Sequence, residues 1–389
     1  MKNSVVRLKP GKEVPLLRKH PWIFSGAIDS LPEFIDGAIL PIADAQGNIL
    51  AWGYFNRKTN IIGRILSFSP ESNPSTVIGE LIGKAMDLRK QWISEDTNAY
   101  RVVNAEGDSL PGLVVDKYAD YLVVQIHTLG MDHQRETIIE SLVKAFNPKG
   151  IYEKSSGTSR RYEGLKDKSG CLYGKVPAQV EIKENGHTFF VDIIEGQKTG
   201  FFLDQRPMRQ RIGELSKGHK ILNCFCYTGG FSVYALAGGC LKVDSVDVSE
   251  KAIQQTEVNL KANKTDALWN NHAVDVFTFL KDDSLDYDLI ILDPPAFAKK
   301  QIDIKNASKG YRDLNKMAMC KAKPGTLLLT CSCSQPISDE AFLKILFDAA
   351  LESGRIVQVL EKQRHGLDHP VSIFHPEGTY LKGYLLRIL

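Results

Sequence analysis

Two thiols and one carboxyl stand at the ends of apolar runs in the last third of the chain. Cys331 and Cys333 close GTLLLTCSCSQP (325–336), and Asp293 closes YDLIILDPPAF (287–297). A thiolate is a covalent nucleophile and a carboxylic acid a proton donor. Together they suit an electron-poor ring such as cytosine, whose C5 is too weak a nucleophile to take a methyl group from a sulfonium. Addition of a thiolate to C6 makes C5 enamine-like, and an acid at N3 stabilises the charge that develops. Loss of the C5 proton then lets the thiol leave. Alternation with period two puts Cys331 and Cys333 on one side while the strand stays extended. Cys333, at the tip, is the better placed of the two for a cleft, and Cys331 for core packing. Free cysteine is so often buried that the residues alone leave a catalytic and a core-filling Cys333 both open.

The turn after Asp293 carries Pro294 and Pro295, which fix φ and remove two backbone donors. A stiff Asp-Pro-Pro-x-Phe turn after a run of aliphatics suits the holding of a planar substrate. Three more strand ends are chemically loaded. NCFCYTGGF (223–231) leads into a helix, with Gly229 and Gly230 allowing close backbone approach. It is not G-x-G-x-x-G, because Phe225 and Tyr227 stand where a dinucleotide site wants glycine, so pyrophosphate recognition is disfavoured. SVDVS places Asp247 and Val248 where a carboxylate can accept from ribose hydroxyls, and VDVF places Asp275 and Val276 where one can accept from an adenine amino group. An aspartate after a strand is also the usual helix N-cap, and Asp275 fits that role too. The three ends together describe an adenosine site without a phosphate grip, which fits S-adenosyl-L-methionine.

The elements that must position these residues are legible from Lys220 onward. KILNCF, KVDSVDV, NNHAV, YDLIILD, TLLLTCS, RIVQVLE and YLKGYLLRIL read as strands, with helical stretches such as Ser249 to Asn263 between the earlier ones. Such alternation implies an α/β, doubly wound parallel sheet that binds ligands beyond its carboxyl ends. Upstream, short Gly-punctuated strands with a hairpin at Gln46-Gly47-Asn48 suggest a compact β-barrel, and a Pro/Ser-rich linker follows at 67–76. An α+β region comes next, with helices over Val77–Trp92 and Met131–Phe146 and strands that turn at Lys117 to Asp120. SSGTSRRYEGL (155–165) reads as a mobile, doubly basic loop able to contact a substrate. The expected divisions are 1–70, 71–187 and 188–389.

Composition narrows the partners. Lys and Arg outnumber Asp and Glu by 49 to 46, and nine basic against five acidic residues up to Pro70 leave the first segment +4. That is compatible with phosphate contacts. No segment suits a bilayer span, and the opening MKNSVVRLKPGKEV lacks the apolar stretch of a signal peptide, which points to a cytoplasmic protein. Seven cysteines without a repeating framework fit a reducing compartment, and C-x-C spacing does not suit zinc, so no metal is expected.

These motifs resemble the bacterial RlmI-type methyltransferases, S-adenosylmethionine-dependent enzymes that make 5-methylcytosine in 23S rRNA. GKEVPLLRKHPWIFSGAI and GNILAWGYFN are similar to that family's N-terminal PUA domain, a small RNA-binding β-barrel. GDSLPGLVVDKYADYLVVQ is similar to its central α+β domain. EGQKTGFFLDQRPMR, NCFCYTGGFSV, VDVS, DPPAF, SCS and DHPVSIFHPEGTYLKG follow its Rossmann-like class I catalytic domain in order. The resemblance implies that Asn223, Phe225, Tyr227, Gly229, Asp247, Val248, Asp275, Val276 and Asp293 line the cofactor site. It implies that Thr199, Phe201, Asp204 and Arg206 cover it, and that Cys333 is the nucleophile. A second cysteine after Asp-Pro-Pro, frequent in other RNA cytosine-5 methyltransferases, is here Ala296. Asp313, Lys316 and His369 are polar residues available as the base that removes the C5 proton, with none preferred. The implied partner is 23S rRNA or a large-subunit precursor, and a homodimer is left open. Two rival readings are methylation of an exocyclic base amine, with Phe297 stacked on the base, and a non-catalytic RNA-binding assembly factor.

Overall fold

The structure, a computed structural model, describes residues 5–263, 267–281 and 285–389. The chain folds as two compact units. The first holds Met1–Lys183, Val191–Leu203 and Leu367–Gly378, and the second holds Glu184–Phe190, Asp204–Gly366 and Thr379–Leu389.

The first unit begins with a six-stranded sheet whose edge strands are Trp22–Ile23 and Ile28–Ser30. Six strands laid flat would part those edges by roughly 24 Å, yet the link of residues 24–27 spans at most about 18 Å. The sheet must therefore curl, and it does so around Leu8, Ile42, Phe55 and Ile65. The hairpin expected at 46–48 joins Ile39–Ala43 to Ile49–Phe55. The Asp44 carboxylate accepts from the amides of Gln46 and Asn48, both at 2.9 Å, and so makes the turn. A five-stranded sheet follows, flanked by helices at Val77–Trp92 and Arg135–Phe146.

Two expectations for this unit need correction. The helix read over Met131–Phe146 is two helices, Leu129–His133 and Arg135–Phe146, because the backbone leaves the helical region at Gln134. The apolar spacing runs on through the break, so periodicity cannot see it. The basic loop of residues 155–165 is folded, with a helix at Thr158–Tyr162. Arg160 is buried and donates to the carbonyls of Ile126 (2.7 Å) and Lys166 (2.6 Å). Glu163, also buried, pairs with Arg64 at 2.6 Å. Of the two basic residues that suggested a substrate loop, Arg160 is spent inside the unit and Arg161 lies in an exposed ion pair with Asp167.

The second unit is built on a seven-stranded sheet: β1 Lys220–Cys224, β2 Lys242–Asp247, β3 Leu268–Ala273, β4 Leu289–Leu292, β5 Leu327–Ser332, β6 Val357–Gln363 and β7 Lys382–Ile388. Their order is β3-β2-β1-β4-β5-β7-β6, and β7 runs antiparallel to both neighbours. The helices that concern the site are α1 Gly230–Ala237, α2 Glu250–Ala262, α3 Ile304–Lys321 and α4 Asp339–Ser353. β4 is aliphatic throughout, and β1 and β5 each carry a run of buried aliphatics, because helices cover both faces of a parallel sheet. The order reverses between β1 and β4, the position where doubly wound sheets open a crevice at their carboxyl ends. α2 starts at Ser249, whose hydroxyl caps the amide of Ala252.

Candidate active site

The turn after β1 is wound tightly outward. Phe225 (φ 59°), Tyr227 (φ 49°) and Gly229 (φ 79°) all lie in the left-handed region, which costs about 1–3 kcal/mol for each non-glycine residue. The strain is held by α2, where Thr256 Oγ1 donates to the Tyr227 carbonyl (2.9 Å) and Asn259 Nδ2 to that of Thr228 (2.8 Å). A side chain at Gly229 would meet Thr256 Cγ2 at 2.6 Å, so the position demands glycine for space as well as conformation. Asn223, buried in β1, donates from Nδ2 to Ser232 Oγ at 2.9 Å. Its Oδ1 is buried without a hydrogen-bond partner among the described residues.

The Asp247 carboxylate is oriented by two amides, Tyr227 N on Oδ2 (3.0 Å) and Ser249 N on Oδ1 (2.9 Å). Val248 beside it is exposed. Asp275 caps the short helix Val276–Phe279, accepting from Thr278 N at 2.9 Å, and the Val276 side chain lies in the core. Backbone is thus what Val276 offers a ligand. The unpartnered carbonyl of Asn223, the outward turn and the amide-bound carboxylate at the next strand end fit an adenosine group. They offer no cradle of amides for a pyrophosphate.

Of the four expected cover residues, the structure brings Asp204 and Arg206 into this unit. The Asp204 carboxylate accepts from the Tyr380 hydroxyl, and its backbone carbonyl accepts from Gly366 N. Arg206 is buried at the start of the helix Arg206–Leu215. Thr199 and Phe201 fold with the first unit instead. There the Thr199 hydroxyl donates to Asp116 Oδ2 (2.6 Å), and the Phe201 amide donates to the Tyr118 hydroxyl (3.1 Å).

At the other end of the sheet, β4 and β5 pair in parallel register, Leu292 opposite Thr330, which sets Asp293 and Cys333 at neighbouring strand ends. Cys331 is fully buried with Sγ 3.7 Å from Met208 Sδ, and burial raises its pKa well above an ordinary thiol's, with Asp293 adding to the rise. Cys333 is half-buried beyond the end of β5, with Sγ 4.0 Å from the Pro294 carbonyl. The two loops are cross-linked through Ser334, whose Oγ accepts from Ala298 N and lies 3.0 Å from the Tyr311 hydroxyl. The Phe297 ring packs on Tyr311, centroids 4.5 Å apart. Asp313 and Lys316 sit in partly exposed ion pairs with Arg312 and Glu352, and His369 is buried in the first unit.

Two residues that sequence reasoning passed over belong to this end. Gln205 Nε2 donates to Asp293 Oδ2 at 2.7 Å and fixes the carboxyl. Lys382, on β7, donates to the carbonyls of Ser334 (2.7 Å) and Ile337 (2.8 Å), directly after the half-buried thiol. Both fall inside quoted motifs, FLDQRPMR and TYLKG. Gln205 stands between two charged residues and Lys382 at the start of a largely apolar strand, and neither setting has specificity without the fold.

Comparison with known proteins now adds a family. Residues 157–369 match the model of S-adenosylmethionine-dependent methyltransferases, and residues 6–68 match that of PUA-like domains. The chain belongs to the S-adenosylmethionine-dependent methyltransferases. It is 37% identical to the ribosomal RNA large subunit methyltransferase I of Vibrio vulnificus and 40% identical to that of Tolumonas auensis, in each case over 100% of both chains. A solved structure described as a methyltransferase complexed with S-adenosylhomocysteine is 26% identical with a TM-score of 0.82, over 98% of this chain and 99% of that one. The cofactor is S-adenosylmethionine, and the N-terminal sheet is a PUA-like domain.

Proposed function

We propose that this methyltransferase modifies C5 of a cytosine in 23S rRNA through a covalent bond between Cys333 Sγ and C6 of the base. Bound S-adenosylmethionine supplies an electrophilic methyl group. Asn223, Tyr227, Asp247 and Asp275 hold its adenosine part, with the turn from Phe225 to Gly229 against it. Cys333 adds as thiolate to C6, and the electron pair moves towards N3, where Asp293, a carboxylate in the free enzyme that takes up a proton as the base binds, donates that proton. C5 is thereby made nucleophilic. After methylation a water takes up the C5 proton, the C5–C6 double bond re-forms as the C6–S bond breaks, N3 returns its proton to Asp293 and the thiolate leaves.

One observation carries this reading: of two thiols a residue apart, Cys333 stands half-open against the Asp-Pro-Pro turn while Cys331 is sealed in the core. The names of the full-length relatives supply the ribosomal RNA, and the PUA-like domain suits contact with RNA shape and backbone. The test is mass spectrometry of nucleosides after incubation with unmodified 23S rRNA and labelled cofactor. Label in 5-methylcytidine, absent with Cys333→Ala, is the expected outcome. Label on adenosine or guanosine, surviving Cys333→Ala, would assign the exocyclic amine instead.

A further inference from the structure

The reaction needs Cys333 as a thiolate at neutral pH, and a thiol next to a carboxylate in a half-buried loop is poorly disposed to ionise. What offsets this is visible on the neighbouring strand. Lys382 lies opposite Ser332 in the antiparallel pairing of β5 with β7, which brings its side chain under the loop that carries the thiol. The residue is 4% exposed, and its ammonium is held by two carbonyls, those of Ser334 and Ile337. Among the described residues it forms no ion pair.

A buried cation that forms no ion pair is costly, and proteins rarely keep one that a neutral side chain could replace. Two carbonyl contacts alone do not require a charge, since a neutral donor could make them. The charges around this amine say what it faces. Its pKa is lowered to about 8, burial pulling it down against the opposing pull of Cys333 and of Asp339 at the start of α4. Below that pH the amine carries its charge. From α3, Tyr311 faces Cys333 and is kept protonated by burial, its pKa raised. From β5, Cys331 is likewise neutral, and Asp293 in the turn after β4 and Asp204 bring negative charge to the same neighbourhood.

We propose that Lys382 is a positioning residue for the nucleophile, clamping the loop after Cys333 by its carbonyls and biasing the thiol towards thiolate by its charge. The inference rests on the reading of Cys333 as nucleophile, and it goes beyond that reading by naming what activates the thiol. No proton need pass between the two groups. The ammonium stays charged while the thiol ionises to solvent or to substrate, and the half-buried Sγ gains a compensating charge.

The experiment is alkylation of the full-length protein by iodoacetamide across a pH series, with the Cys333 peptide followed by mass spectrometry. In the wild type the midpoint for Cys333 lies below the ordinary thiol value of about 8.5. Lys382→Met moves the midpoint up and slows alkylation at pH 7 by about tenfold, the ratio that one unit of thiol pKa gives. Lys382→Arg restores most of the rate by restoring the charge. In methylation assays Lys382→Met lowers kcat and leaves KM for the RNA unchanged. Equal midpoints in wild type and Lys382→Met would overturn the proposal and leave the lysine a structural clamp. Should Lys382→Met not fold, a wild-type midpoint at or above about 8.5 would overturn it equally. Cys333→Ala tests the nucleophile separately: methylation surviving there would overturn the assignment of Cys333, while the alkylation midpoints would still decide the coupling to Lys382.

Discussion

The two ends of the seven-stranded sheet hold their functional groups by different means. At the proposed adenosine end, over β1 to β3, the two carboxylates are held by backbone amides. Asp247 is oriented by two amides, Asp275 by one, and the turn between Phe225 and Gly229 takes three left-handed residues to face outward. At the proposed base end, over β4, β5 and β7, side chains hold side chains and loops. Gln205 fixes Asp293, Ser334 ties two loops together, and Lys382 clamps the segment after Cys333. Backbone geometry is set by the fold itself and serves a cofactor that does not change. Side-chain struts can be altered one at a time, and this is where a methyltransferase sheet acquires a particular chemistry.

The sharpest way to break this comparison is at the two thiols. Cys333→Ala should abolish methylation, by a factor beyond about 10⁴, because in the proposed route C5 is not nucleophilic without the covalent bond. Cys331→Ala, only two residues away, should leave kcat within a few-fold and cost about 1–2 kcal/mol of stability for the lost packing on Met208. Single-turnover assays with both variants, alongside thermal unfolding, separate the two. Loss of activity of similar size in each would mean that the strand end as a whole, not one sulfur, is what matters.

Next in size is Gln205. Gln205→Leu removes a charge-assisted hydrogen bond to Asp293, worth about 1.5–3 kcal/mol, so kcat should fall by roughly 10- to 100-fold. Cofactor affinity, read by calorimetry with S-adenosylhomocysteine, should move little, because the strut belongs to the base end. A fall in affinity as large as the fall in kcat would erase the distinction between the two ends.

Legibility follows the same divide. All seven strands of the second unit appear where the apolar runs and their spacing put them, since aliphatic strands between helical stretches have few other ways to bury their faces. The strand-end positions of Asp247, Asp275, Asp293 and Cys333 followed from the same pattern, because a residue at the end of a run lies at the end of a strand. What the pattern could not reveal is anything that depends on distant partners. Gln205 meets Asp293 across 88 positions of sequence, and Lys382 meets the loop after Cys333 across 48. The same blindness produced the error at residues 155–165, where Arg160 and Glu163 look like exposed polar residues until Ile126 and Arg64 arrive from elsewhere in the chain. Arg64, a charged residue inside an apolar run, is the same case. It faces a buried carboxylate rather than solvent.

Asp247→Asn probes the backbone-held end. The amides of Tyr227 and Ser249 still find an oxygen in asparagine, at the expense of one contact, while a ribose would lose a charged acceptor. Affinity for S-adenosylhomocysteine should weaken by about 10-fold, as expected for one charge-assisted hydrogen bond. At saturating cofactor kcat should be close to that of the wild type. A drop in kcat that cofactor cannot rescue would show that the adenosine end also shapes the chemical step.

The smallest effect, and the most discriminating, is at Asp275, where a cap and a ligand compete for one carboxylate. As a cap it accepts from Thr278 N and Thr278 Oγ1. Serine caps a helix about as well as aspartate does, so Asp275→Ser should leave the melting temperature nearly unchanged. Its hydroxyl is shorter and uncharged, and would not extend past the cap to an adenine amino group. If the carboxylate serves both, affinity for S-adenosylhomocysteine should fall by about three- to tenfold while inosine-type analogues, which lack the amino group, bind both proteins alike. Unchanged affinity for both ligands would confine Asp275 to capping and leave the base edge to be read by backbone alone, which would extend the contrast between the two ends rather than weaken it.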